Sequence, residues 1–373
     1  MKIKAIYFND VGPLGNHSID LVNDWDDSLE SRALLSGPNG CGKSTVLRAV
    51  AMLWEALGYW LDHRKTLPKN HVAREWLQRW GGCAVVLQGV SPDLSPDASE
   101  VGLAFGDLAW CDELRAANPH VWWIAESVAR TGKPGNPTRK LSLPDESWVQ
   151  AWSDARKKMI LSFDKIDFPN VVFLDAEERR WVLPRKSVGE HVADQPGKRW
   201  LPKYIASEDW RDQLEASLIT LKTTQLHKYH EVVRLLNTFL AGKDIEPDIA
   251  PGENRLRVKL KGKRGQYHSL DELSAGEHQV LILLFLLSRW AEKGAVVLID
   301  EPDLYLHPSL VSGMLASLEK LVADLDGQLL ITSHSTEIWR RYEASGKRIE
   351  LGAASGSGGG VVTDQGARNE HSE

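Results

Sequence analysis

Two adjacent carboxylates, Asp300 and Glu301, end the apolar run Ala295 to Ile299 in the stretch LIDEPDLYLHP. A run apolar on both faces is what a parallel strand covered by helices requires. Its C-terminal edge is where open α/β sheets bind ligands. Carboxylates this close repel each other, so the pair points to a cation carrying phosphate beside them.

The phosphate site stands near the other end of the chain. GPNGCGKST, Gly37 to Thr45, matches the pattern G-x-x-x-x-G-K-[ST] after the apolar Ala33 to Leu35. A chance match in a chain of this length is expected on the order of once in a hundred from average residue usage. Val46, Val50, Leu53, Trp54, Leu57 and Leu61 follow at helical spacing. The sequence therefore predicts strand, glycine-rich loop and helix, with the helix start and loop N–H groups facing phosphate oxygens. Asn39, Gly40, Cys41, Gly42, Lys43, Ser44 and Thr45 are the candidate nucleotide-binding residues. Lys43 is expected to neutralise the β and γ phosphates, and Ser44 with Asp300 to ligate Mg²⁺. Glu301 is then free to accept a hydrogen bond from the attacking water as general base, a step worth about 10²–10⁴-fold.

Four segments in one order give the chain a resemblance to ABC-type ATPases of the SMC, RecF and OLD branch, the AAA-fifteen and AAA-twenty-one ATPases. MKIKAIYFNDVGPLGNHSIDL is similar to that branch's N-terminal strand pair, and the phosphate loop follows. LSAGEHQ, Leu273 to Gln279, resembles the ABC signature, and LIDEPDLYLHP with ITSHS resembles the second acidic motif and the switch-histidine loop. The resemblance implies ATP and Mg²⁺ as ligands and a head-to-tail homodimer or higher homo-oligomer. In it Ser274, Gly276 and Glu277 of one subunit reach the γ-phosphate held by the other. It also implies that His334 donates a hydrogen bond to that phosphate and that His307 lies at the dimer contact. The loop glutamine of many ABC ATPases is missing; Glu177 and Arg179, after the strand NVVFL, are the candidates to replace it.

The elements that must position these residues make the fold class α/β: a P-loop NTPase of ABC type with a mixed or parallel sheet, a flanking antiparallel β subdomain and a helical insertion. Residues 1–110 read as the N-terminal lobe with the phosphate loop and the antiparallel segment CAVVLQ and EVGLAF. Residues 111–245 read as a helical insertion or lid, with helices around Ser147 to Phe163 and Trp210 to Leu240 and a core strand near 171–175. Residues 246–350 carry the signature, acidic and switch-histidine motifs, and 351–373 form a low-complexity tail expected to be flexible.

At 373 residues and 42% hydrophobic composition the chain can bury a large core. Its apolar runs fall far short of the roughly 18 to 20 residues that span a bilayer, so no membrane association is expected. Cys41, Cys83 and Cys111 lack metal-ligand spacing, which suits a reducing cytoplasm. A net charge of −6 gives no global attraction to nucleic acid, so any such contact must be local. Lys198, Arg199 and Lys203, like Lys259, Lys261, Lys263 and Arg264, read as solvated surface, and most of the fifteen Trp residues as packing. OLD-type nucleases carry a further metal-binding domain after the ATPase, and the roughly forty residues after His334 leave no room for one. The expected function is an ATPase controlling a separate effector, possible nuclease included, as in the phage-defence modules Septu, PARIS and some retron systems. A RecF-like DNA-repair clamp is the alternative and requires a basic DNA surface. A transporter subunit requires the LSGGQ form, and a non-hydrolysing scaffold has no need of Glu301.

Overall fold

The computed structural model describes residues 1–352 apart from 24, 91–98, 130–136, 165 and 264. The expected tail from 353 onward, most of the loop TGKPGNP, the centre of the turn-rich stretch after CAVVLQ, and Arg264 lie outside the described residues.

The N-terminal strands β1 (Lys2–Val11) and β2 (Gly15–Asp20) form a hairpin. Strand β3 (Arg32–Ser36) leads through the glycine-rich loop into helix α1 (Lys43–His63), and α2 (Val72–Leu77) follows. Then come β4 (Gly82–Gln88), β5 (Glu100–Asp107), α3 (Leu108–Ala117), β6 (Trp122–Ala129), β7 (Thr138–Ser142), α4 (Ser147–Leu161) and β8 (Val171–Leu174). Helices α5 (Leu214–Thr224) and α6 (Leu226–Asn237) precede the short strands β9 (Lys243–Ile245), β10 (Arg257–Leu260) and β11 (Tyr267–Ser269). The chain ends its described part with α7 (Ala275–Trp290), β12 (Val296–Ile299), α8 (Pro308–Ala323), β13 (Gln328–Thr332), α9 (Thr336–Ser345) and β14 (Lys347–Glu350).

Five strands in the order β14-β3-β13-β12-β8 make a wholly parallel sheet. Every residue of β12 is buried, as its two-sided apolar pattern requires. Val296 and Leu298 point into the core shared with α1 and the N-terminal strands, while Val297 and Ile299 point into the core shared with α5 to α8. The parallel sheet thus divides two hydrophobic cores and fixes the ends of β3, β12, β13 and β8 side by side.

The flanking sheet, β2-β1-β4-β5-β6-β7, is mixed and not wholly antiparallel as expected. β5 and β6 run parallel because α3 crosses between them. The outer face lies under α3, with Leu114 and Trp123 in a small cluster of their own. The stretch 111–245 accordingly contains β6 and β7 beside its helices. β7, TRKLS, is polar and half-exposed, so no alternation betrays it. The helix expected over Trp210 to Leu240 is two helices, α5 and α6, and their apolar faces pack in this chain's own core with α7. Tryptophans pack as expected: Trp54 stacks on Trp200 at 4.4 Å, and each indole N–H donates to the other's backbone carbonyl.

Candidate nucleotide site

The loop between β3 and α1 is held from three sides. Gly42 caps α1 with φ +100, a left-handed conformation that glycine adopts at least cost, and a Cβ there would run into Leu14 at the tip of the β1–β2 hairpin. Leu351, just past β14, donates its N–H to Ser36 O at 2.8 Å, and Gly352 packs against Cys41. The Lys43 side chain is buried and folds back, donating to the carbonyls of Gly37 at 3.0 Å and Pro38 at 2.9 Å. Asn39 and Gly40 are exposed, Cys41 and Gly42 buried, Ser44 exposed and Thr45 half-buried. The first turn of α1 leaves N–H groups without intrahelical partners at this loop, the general basis of anion binding at a helix start.

Strand order decides how Ser44 meets Asp300. β3 and β12 are not neighbours; β13 lies between them, and adjacent strands are about 4.8 Å apart. Thr332 at the end of β13 fills that gap. Its hydroxyl donates to Asp300 Oδ1 at 2.6 Å, and Ser44 Oγ donates to the same oxygen at 3.0 Å. Thr332 Oγ1 also accepts the Glu301 N–H at 2.9 Å. Asp300 is buried, whereas the Glu301 carboxylate is half-exposed and lies 3.4 Å from His334 Nε2. The structure thus gathers Lys43, Ser44, Asp300, Glu301 and His334 at one sheet edge. Spacing did not expose Thr332, whose role depends on the strand order; a hydroxyl beside the histidine of ITSHS was its one signal.

A family model described as "AAA domain, putative AbiEii toxin, Type IV TA system" matches residues 153–340. The chain belongs to this AAA family. No curated protein matches its sequence. Solved structures similar to the chain include "Crystal structure of the SmcHead bound to the C-winged helix domain of ScpA", at 13% identity over 94% of each chain with a TM-score of 0.48. The SMC head domain from Thermotoga maritima is 14% identical over 94% of each chain, TM-score 0.41. An Smc head domain with an extended coiled coil, bound to the C-terminal domain of ScpA derived from Pyrococcus furiosus, is 13% identical over 93% of this chain and 92% of that one, TM-score 0.45.

In this AAA chain the signature segment sits at the start of α7, behind the three-stranded antiparallel sheet β11-β10-β9. Ser274 is the N-cap. Its Oγ accepts the Glu277 N–H at 3.3 Å and donates to Glu277 Oε2 at 2.9 Å, and Glu277 Oε2 also accepts the Ser274 N–H, completing a capping box. Glu277 is further held by Lys243 at 2.8 Å, and this pairing with the cap lowers its pKa despite partial burial. The Glu277 carboxylate therefore serves its own helix. Gly276 allows a close approach: a Cβ there would stand 2.9 Å from Tyr305 O. His307 caps α8, its Nδ1 accepting the Ser309 N–H at 3.3 Å.

The candidates for the missing glutamine part company. Glu177 is exposed on the turn after β8, its N–H donating to Asp175 Oδ1 at 3.0 Å. Arg179 is fully buried and donates to the backbone carbonyls of Leu174 and Glu301 and to the Gln279 side chain, so its guanidinium is occupied within the chain. The residue that the sheet places beside Asp300 is Asp175, at the end of β8, ion-paired with Arg48 of α1. Of the basic residues read as surface, Arg199 is buried and bound to Glu292 at 2.8 Å, while Lys198 pairs with Asp212 and Lys261 with Asp244. Among the described residues there is no group of three or more His, Cys, Asp or Glu that could hold a metal, and no helix is long and apolar enough to cross a membrane.

Proposed function

We propose that this AAA protein is an ATPase that hydrolyses ATP to ADP and phosphate, closes head to tail on ATP as a homodimer or higher oligomer, and controls a separate effector in the cytoplasm. One observation carries the hydrolytic reading: the Ser44 and Thr332 hydroxyls converge on a single carboxylate oxygen of Asp300, with Glu301 one residue beyond. Hard hydroxyl and carboxylate oxygens from two protein positions fit Mg²⁺, which keeps water and phosphate oxygens for the rest of its shell. Bound there, Mg²⁺ would supply charge neutralisation for the transferred phosphoryl group. Lys43 would leave the loop carbonyls for the phosphates, Thr332 would keep Asp300 oriented, and Glu301 would accept the proton of the attacking water. His334, whose Nε2 lies 3.4 Å from the Glu301 carboxylate, would donate to the γ-phosphate.

The head-to-tail arrangement rests on the signature. Ser274 is exposed at the positive end of a helix whose remaining turns are buried, a surface suited to an anion on a neighbouring subunit. The family description, with its toxin and Type IV TA system, favours an effector module of prokaryotic defence over a RecF-like clamp. The ion pairing of Lys198, Arg199 and Lys261 weakens the clamp reading further, since it removes cations a DNA surface would need.

Glu301→Gln tests the core of the proposal. The variant should bind ATP and Mg²⁺ with near wild-type affinity, measured by calorimetry, yet turn over at least about 10²-fold more slowly. Unchanged turnover would remove Glu301 from the chemistry.

A further inference from the structure

Arg179 is a charged side chain with no exposed surface, and among the described residues no carboxylate is bonded to it. Burial lowers its pKa to about 10, offset in part by Asp300, Asp175, Glu301 and Asp303, so the guanidinium stays charged at neutral pH. A buried cation of this kind is costly unless its donors are placed. Its donors are placed on three different elements. Nη2 donates to Glu301 O at 2.8 Å, Nη1 to Leu174 O at 3.3 Å at the end of β8, and Nε to Gln279 Oε1 at 3.0 Å on α7. Gln279 closes the loop by donating Nε2 to Arg179 O at 2.6 Å. Gln279 lies five residues after Ser274, in the second turn of the signature helix.

A second contact joins the same two elements. Gly276 abuts Tyr305 O, in the turn that begins at Glu301. That turn is bracketed by two non-glycine residues in the left-handed region, Glu301 at φ 45 and Tyr305 at φ 63, and it holds a buried Asp303 Oδ1 with no hydrogen-bond partner among the described residues. Strained backbone and an unsatisfied acceptor persist only where neighbours over-determine them. Arg179 and the signature loop are those neighbours.

We infer that Arg179 and Gln279 are positioning residues that rigidly join the signature helix of a subunit to the backbone of its own Glu301. The inference rests on the head-to-tail reading for one of its two consequences. When a neighbour's ATP draws the N-terminus of α7 toward it, the bridge moves Glu301 in the subunit that owns the helix, so each site's water-activating acid reports whether the other site is filled. The other consequence needs no dimer: loosening the bridge loosens Glu301 itself.

The test is steady-state turnover against ATP and against protein concentration, with thermal melts, for wild type, Gln279→Leu and Gln279→Glu. Leu keeps the volume and removes both bonds; Glu restores the acceptor for Arg179 Nε. Gln279→Leu should stay folded and keep its KM for ATP. Its kcat should fall about tenfold, a part of the roughly 10²-fold that a 1 Å misplacement costs, and its cooperativity in ATP should disappear. Gln279→Glu should recover much of both. A folded Gln279→Leu with wild-type kcat, or one in which kcat and KM change together and Glu gives no rescue, would overturn the inference. Wild-type turnover per subunit independent of protein concentration would instead count against the dimer, and the kcat of Gln279→Leu would still decide the bridge.

Discussion

Thr332 shows how much a single hydroxyl can be asked to do. It donates to Asp300 Oδ1, accepts from Glu301 N–H, and is wholly buried between the two strands it links. Thr332→Val keeps the shape and strips both bonds, leaving the partly buried Glu301 N–H unpaired, which costs at most about 1–3 kcal/mol. The variant should melt at lower temperature and lose kcat more than affinity, because Ser44 still holds Asp300. Thr332→Ser, which retains the hydroxyl, should restore turnover; a Ser variant as slow as Val would show that the methyl packing matters and the bonds do not. The acids and the phosphate loop were legible in the sequence because each is a local pattern, set by neighbours within nine residues. Thr332 and Arg179 were not legible in their roles. Their partners are set by strand order and by a residue about a hundred positions away, which no local spacing encodes.

At the scale of elements, the apolar helices and the core strands declare themselves by period, whereas β9, β10 and β11 are three or four residues long and too short to show one. Yet these short strands and the turn after them hold the start of α7. His278, in the first turns of that helix, stacks flat on Trp181 at 4.1 Å and donates its Nε2–H to Leu270 O at 2.8 Å. Burial lowers its pKa, against the Leu270 carbonyl, Asp271 and Glu277, with Lys243 acting in the same direction as burial. The unfolded chain therefore binds the proton more readily than the folded one. The contribution of neutral His278 is present above the unfolded value near about 6.5 and is lost as pH falls through the lowered folded value. Melting temperature should drop between pH 7.5 and pH 5.5, and His278→Phe, which keeps the stack, should flatten that slope. Equal slopes in the two proteins would assign the acid sensitivity elsewhere.

For the whole molecule, the question is whether one chain holds a complete site. Lys43, Asp300, Glu301 and His334 meet within one chain, but Ser274, at the head of α7, is exposed and hydrogen-bonds to Glu277 in its own first turn. A variant meant to spoil that surface must leave the subunit itself intact. Gly276 is a poor choice, because any side chain there collides with Tyr305 O and disturbs the turn holding Glu301. Ser274→Asn is better: asparagine is as good an N-cap as serine, its amide N–H can still donate to Glu277 where the serine hydroxyl did, and its bulk would crowd a γ-phosphate arriving from a neighbour. This variant should bind ATP and hydrolyse almost none, while Lys43→Ala should fail to bind because the triphosphate loses its buried cation. Random mixing of the two puts half the subunit pairs in mixed dimers, each with one intact loop facing one intact signature. Turnover should then return, to at most about a quarter of the wild-type level for the same number of subunits as closed two-fold pairing requires, and to less than that if Glu301 of the working site depends on the second site being filled. If each subunit worked alone, Ser274 would stand outside the site: its variant would turn over like the wild type and the mixture would show only the sum of the two proteins, so the mixing experiment separates a site built within one chain from a site shared between two.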